Sequence, residues 1–155
     1  MFTPLTTLPL RHVLTLPTDV SAVRMARETA ETAWTEWGIN PHHPTIGPAL
    51  LILTELVTNT IRHAATHSPQ LTIIYAAAPD RLALAVHDRH PHQPPLHTTA
   101  SATRGRGLTT VMELTDQLGG TAFIRPDDDG RGKGIWITLP LEDPKAAPDQ
   151  GSSAP

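Results

Sequence analysis

Glu55, Asn59 and His63 recur every fourth residue in a stretch otherwise dominated by leucine, isoleucine and valine. At helical spacing they lie in line along one side. Asparagine is a mediocre helix former, and it needs a reason to sit between Leu56–Val57 and Ile61. An amide oxygen and a carboxylate one turn apart can share a hydrated Mg²⁺, which prefers oxygen ligands and keeps several waters. A solvated helix stripe has the same appearance, so this set gains weight only from its company. Asp88 follows a β-rich run and precedes a loop, a usual place for a binding residue. A carboxylate there can accept from an exocyclic amine such as that of adenine, although a turn-forming aspartate is the ordinary reading of the position. The third element is Arg104-Gly105-Arg106-Gly107-Leu108 at the start of a helical pattern. Its glycines let the backbone approach a phosphate, and a helix N-terminus adds free amides and partial positive charge. It is neither a dinucleotide fingerprint, since Thr110 takes the third glycine position, nor a P-loop, since Gly132-Lys133 is followed by Gly134.

The elements that must hold these residues follow from periodicity. Leu10 to Leu16 alternates as a short strand closed by Pro17. Thr18 or Asp19 offers an N-cap to a helix whose stripe is Val20, Val23, Ala26, Ala30, Ala33, Trp34 and Trp37, and Gly38 stops it. Asn40 to Pro48, with three prolines, reads as a loop. The next helix buries Ala49, Leu50, Leu53, Leu56, Val57, Thr60 and Ile61. Leu71 to Ala78 and Arg81 to His87 read as an antiparallel hairpin across Pro79-Asp80, which is not a favoured primed turn. Arg89 to Arg104, rich in proline and histidine, reads as a mobile loop or lid. Gly105 to Leu118 is helical, with Thr115 where an apolar residue belongs. Thr121 to Arg125 and Gly134 to Leu141 form a closing hairpin around an Asp/Gly-rich turn. The expected fold is an α/β (α+β) two-layer sandwich: a mixed, mostly antiparallel five-stranded sheet with about three helices on one face. Residues 1–9 form an N-terminal arm, 10–141 the domain with a lid at about 89–104, and 142–155 a Pro/Ala/Ser/Gly tail that cannot bury much.

Composition excludes several classes. The chain has 155 residues, enough for one domain with its own core, and a formal net charge of −3. That balance gives no default reading of nucleic-acid binding. No cysteine is present, which removes disulfides, cysteine-ligated zinc and thiol nucleophiles. No stretch approaches the roughly 20 apolar residues of a membrane span, and the start of the chain lacks the pattern of a signal peptide. The cytoplasm is the simplest address. His87, His90, His92 and His97 are close in sequence but irregularly spaced among prolines, and a solvated lid explains them better than a metal site. Asp127 to Asp129 read as a solvated hairpin tip.

The combination and order of these motifs are more specific than any part. Glu55-Leu-Val-Thr-Asn59-Thr-Ile-Arg-His63-Ala64 resembles the N box of the GHKL (histidine kinase-like) ATPases. Val86-His-Asp88-Arg-His-Pro91 resembles their aspartate box, and Gly105-Arg-Gly107-Leu108 their later glycine box. Leu16-Pro17, Ala22-Val-Arg and Trp37-Gly38 at the start, and Gly132-Lys-Gly-Ile-Trp136 at the end, complete a resemblance that covers about residues 10 to 141. The single-domain actinobacterial members related to anti-sigma factor serine/threonine kinases are the most similar group.

The resemblance implies ATP and Mg²⁺ as cofactors. Asn59 would hold Mg²⁺, Asp88 would bind the adenine amine, and Gly105 and Gly107 would cradle phosphates. His63, Arg104, Arg106 and Leu108 would belong to the same ATP site, with Arg106 neutralising developing charge. Glu55 would be the catalytic general base. The implied activity is a serine/threonine protein kinase acting on a small regulatory partner, such as an anti-sigma factor antagonist. The alternative is a non-catalytic ATP-binding module that sequesters a sigma factor or another regulator. Neither implies nucleic-acid or membrane contact, and the resemblance allows a homodimer. A histidine autokinase is disfavoured, because the residues before Leu10 are too few for a phosphoacceptor helix pair. The sequence departs from the family in having Arg89-His90-Pro91 where glycine usually follows the aspartate. It also has Lys133-Gly134 where a threonine often opens the last strand.

Overall fold

The computed structural model describes residues 8–94 and 106–141. Arg104, Gly105, His97, the rest of the segment expected as a lid beyond Pro94, residues 1–7 and residues 142–155 lie outside the described residues. The elements run β1 (Leu10–Pro17), α1 (Ser21–Glu36), α2 (Ile46–Ala64), β2 (Gln70–Ala78), β3 (Arg81–Asp88), α3 (Arg106–Gln117), β4 (Thr121–Pro126) and β5 (Lys133–Pro140). The strands form one sheet in the order β1-β2-β3-β5-β4. The sheet is antiparallel in every ladder rather than mixed. Connectivity is consistent with this: two elements, α1 and α2, intervene between β1 and β2, and two, α3 and β4, between β3 and β5, so a chain that reverses at each junction reverses three times and returns antiparallel.

Strand alternation sends one set of side chains to the helices. Ile73 and Tyr75 of β2, Leu84 and Val86 of β3, and Ile135 and Ile137 of β5 meet Ala26 and Ala30 of α1, Leu53 and Leu56 of α2 and Val111 of α3 in a single core. The alanines of α1 carry little bulk, so this helix lies close to the sheet, where the Tyr75 hydroxyl donates to the Ala26 carbonyl at 2.7 Å. Burial raises the Tyr75 phenol pKa well above its ordinary value. Val20, expected in the α1 stripe, is 82% exposed because the helix starts after it, and Ala22 takes the buried place. Neither cap candidate holds the cap position, which falls to Val20 without a side-chain cap bond; the Asp19 carboxylate still accepts from the Ser21 amide at 2.9 Å and fixes the entry to the helix. The Thr18 hydroxyl oxygen is buried without a partner.

Helix α2 begins at Ile46, so the expected loop is shorter than its prolines suggested and Pro48 lies inside the first turn. The first amides of a helix have no intrahelical acceptor, which makes proline tolerable there. The Thr45 hydroxyl donates to the Pro140 carbonyl at 3.1 Å and ties this end of α2 to β5. In α3, Thr115 is fully buried, and its hydroxyl finds the Val111 carbonyl at 2.6 Å, which reconciles a polar residue with an apolar stripe. The β2–β3 turn holds no positive φ, in keeping with its proline. Opposite the helices, Val13, Ile74, Ala85, Trp136 and Phe123 align across the sheet's outer face, with Phe123 stacked on Trp136 at 6.3 Å.

Two stability predictions follow from these contacts. A raised phenol pKa means the folded state holds its proton longer, so the contribution is complete below pH 10 and is lost as pH rises above that value. Tyr75→Phe should cost about 1 kcal/mol at pH 7, and denaturation at several pH values should show a shallower alkaline loss of stability in the variant than in the wild type. A Cβ on Gly120 would collide with the Thr138 carbonyl and lie 2.9 Å from the Leu139 side chain. Gly120→Ala should therefore cost about 1–3 kcal/mol in urea denaturation, since a backbone atom cannot yield as a side chain can.

Candidate functional site

The alternation that turns Leu82, Leu84 and Val86 inward carries Asp88 to the same face. On β5 the inward series Leu139, Ile137, Ile135 ends at Lys133, and the ladder sets Lys133 directly opposite Asp88. Asp88 is 3% exposed and Lys133 5%. Charges at this depth are tolerable only when paired and hydrogen-bonded. The Lys133 ammonium donates to Asp88 Oδ1 at 2.8 Å and to the His90 carbonyl at 3.0 Å. The His90 amide donates to the same Oδ1 at 2.8 Å. Asp88 Oδ2 has no partner among the described residues. Gly132 makes the approach of the two strands possible: a Cβ there would meet the Asp127 carboxylate and come within 2.6 Å of the Asp88 carbonyl oxygen.

The same strand end is gripped from its other face. His87 Nε2 lies 2.9 Å from Asp127 Oδ1, and the Arg89 guanidinium reaches Asp127 and, at 2.8 Å, Asp129. The Asp129 carboxylate holds the Arg89 pKa above its ordinary value, and Arg89 in turn holds Asp129 below the usual carboxylate range. The expected solvated tip at Asp127–Asp129 is thus partly an ion-pair clip, and Arg89 is anchored to it. Ser68 adds a third tie. Its hydroxyl accepts from the Arg89 amide at 2.9 Å and donates to the Gln70 carbonyl at 2.6 Å. The His90 ring lies edge-on to His67, with centroids 4.5 Å apart. Burial, followed by the charge of His67 and then of Lys133, lowers the His90 pKa.

Glu55 and Asn59 are half-buried on α2, and His63 is exposed near its end. Among the described residues, none of these side chains makes a hydrogen bond or ion pair. Helix α2 packs against both β3 and α3, so their helix adjoins the strand that ends in Asp88. Arg106 and Gly107 open α3, as the phosphate-binding reading requires of the chain path, and Leu108 is buried in the core. Arg104 and Gly105 fall outside the described residues, so the turn itself is not placed.

A hollow of about 580 Å³ lies between Arg11, His87, Arg125 and Trp136 on the sheet's outer face. Its lining contains none of Glu55, Asn59 or Asp88, and size alone does not make it the site. Sequence reasoning missed Lys133 and Ser68 as parts of the site. The signal for Lys133 was present: it continues the inward alternation of the last strand at the level where Asp88 ends its own. Ser68 had no comparable signal, since nothing local marks a serine that will meet a strand end 21 residues later. Among the described residues no group of three or more histidine, aspartate and glutamate side chains is arranged to hold a metal ion. No helix among them is long and apolar enough to cross a membrane.

The donor set fits a purine nucleotide. It offers a buried carboxylate with one oxygen uncommitted, a glycine at the start of α3, and an uncommitted carboxylate and amide one turn apart on a helix that adjoins both. Among solved structures, the fold is similar to the RsbU and RsbW domains of Rv1364c from Mycobacterium tuberculosis. That match has a TM-score of 0.61 and 19% identity over 86% of this chain and 33% of that one. It is also similar to full-length ShkA in complex with AMPPNP (0.53, 19%, 84% and 32%). A third match is the catalytic domain of the histidine kinase ThkA (0.52, 16%, 84% and 96%). The chain spans about a third of the length of the first two, and at these identities the likeness is one of fold. No curated protein matches the chain. The sequence itself matches the histidine kinase-like ATPase domain over residues 16–139, and the chain belongs to that family.

Proposed function

We propose that this domain binds ATP with Mg²⁺ where α2, the end of β3 and the start of α3 adjoin. We further propose that it acts as a serine/threonine protein kinase on a small regulatory protein. The observation that carries the nucleotide reading is Asp88: an inward-facing carboxylate at a strand end, held by a backbone amide, with Oδ2 left to accept from a base amine. Family membership and the N-terminal glycine of α3 support the same reading.

In this reading, Asp88 orients the base. The amides of the turn before α3, with Gly105 and Gly107, receive the phosphates, and Arg104 and Arg106 add positive charge. Asn59 would offer its amide oxygen to Mg²⁺, which when bound would neutralise phosphate charge. Glu55 takes the proton from the attacking hydroxyl as the new oxygen–phosphorus bond forms and the bond to the departing diphosphate breaks. Phosphoryl transfer depends mainly on positioning and charge stabilisation, which a rigid strand end and a helix face supply. The proposed partner is an anti-sigma factor antagonist or a sigma factor, met in the cytoplasm, and a homodimer is compatible with the reading.

Calorimetric titration of ATP with Mg²⁺ should show saturable binding. Asp88→Asn should weaken it about tenfold or more, because the oxygen satisfied by His90 and Lys133 leaves the amide nitrogen facing the base amine, donor against donor. Absence of binding by folded wild type would defeat the reading. Glu55→Gln should retain ATP binding while phosphate transfer to the partner falls about a hundredfold or more. Transfer undiminished in that variant would remove Glu55 from the chemistry. A wild type that binds ATP but never transfers phosphate would leave a module that sequesters its partner.

A further inference from the structure

Resting on the nucleotide reading, we propose that Lys133 is a positioning residue that sets base selectivity: it keeps Asp88 an acceptor only, so the site takes a purine with an exocyclic amine and disfavours one with a carbonyl oxygen in its place. The two oxygens of Asp88 are not equivalent. Oδ1 receives the His90 amide and the Lys133 ammonium, each at 2.8 Å. Oδ2 has no partner among the described residues, and it is the oxygen assigned to the base. Lys133 is also fixed from its other side, donating to the His90 carbonyl at 3.0 Å. Lys133 and the base amine therefore use different oxygens, and both fit at once.

A carboxyl group can meet a base in two forms. Ionised, it only accepts; protonated, it carries an O–H donor. The first form suits an amine and repels a carbonyl oxygen, while the second can donate to that oxygen. Burial favours the neutral form, and an adjacent cation favours the charged one. The Asp88 side chain is 4% exposed, and Lys133, at 7%, is the only cation paired with it among the described residues. The His90 amide cannot take over this role, because it is a neutral donor. Two donors on Oδ1 also resist rotation of the carboxylate, so the same oxygen stays free. Lys133 thus acts on the base only through Asp88.

Calorimetry with ATP and with inosine triphosphate, each with Mg²⁺, on wild type, Lys133→Gln and Lys133→Arg tests this. Wild type should prefer ATP. Lys133→Gln, which keeps a neutral donor but no charge, should bind ATP about tenfold more weakly while inosine triphosphate holds or gains. Lys133→Arg keeps the charge and should keep the preference. A loss shared equally by both nucleotides in Lys133→Gln, or an unchanged preference in that variant, overturns the role of Lys133 and leaves the site standing. Should the glutamine variant fail to fold, wild type decides. The chain has two lysines, Lys133 and Lys145, so ¹⁵N-lysine labelling resolves the Lys133 ammonium by magnetic resonance. Its protected proton signal should persist at ATP saturation, and its loss on ATP binding overturns the proposal. Failure of folded wild type to bind either nucleotide overturns the nucleotide reading and this proposal together.

Discussion

A sheet covered on one face by helices must present apolar side chains to them, and strand alternation does not stop where the apolar residues run out. In this domain the inward series of β3 ends in Asp88 and that of β5 in Lys133, so two charges arrive at the edge of the core side by side. Neither could stay ionised there alone without a large desolvation cost. The antiparallel register makes them neighbours, and the His90 backbone completes their hydrogen bonding with an amide on one side and a carbonyl on the other. Gly132 has no side chain because the strands must close to this distance. Fold and candidate site therefore share one constraint: the register that packs Val86 against Ile135 also seals Asp88.

The outward residues of the same strand end do a different job. His87 and Arg89 face away from the helices and bind the β4–β5 turn through Asp127 and Asp129. Pairs this exposed add little to global stability. Their value is local, since they fix the exit of β3, while Ser68 fixes it to the loop after α2. A carboxylate meant to orient a ligand needs a backbone that does not drift, and here two separate chain segments, the β4–β5 turn and the loop after α2, hold it.

Most of the fold was legible because it rests on periodicity. Helical spacing located the three helices of the described residues, and alternation located their strands and inward faces. The errors have local causes. Pro48 suggested a loop, yet a proline in a first turn costs no hydrogen bond, and α2 starts at Ile46. Val20 matched the α1 stripe but is the cap residue that precedes the helix, and it is exposed. The mixed sheet became wholly antiparallel because strand direction depends on how many reversals lie between neighbours, which a linear pattern does not display. Asp88 and the α2 series were legible as residue types out of place. Lys133 was legible as a departure from a family pattern and as a continuation of the inward alternation of β5, but not as a partner of Asp88. Its contact with Asp88 needs the register of strands more than 40 residues apart in the chain.

The polar groups of this region differ in whether they are committed. Glu55, Asn59 and His63 have no partner among the described residues, and their partial or full exposure lets water serve them without cost to the fold. Asp88 has no such freedom. A buried carboxylate must be compensated at every moment, by a ligand, by a side chain or by both. In this structure the compensation comes from Lys133 and the His90 amide at Oδ1, and Oδ2 has no partner among the described residues. Removing Lys133 would leave a buried carboxylate with one neutral donor, so the strand end depends on the pair even though either charge alone would be a liability to the core.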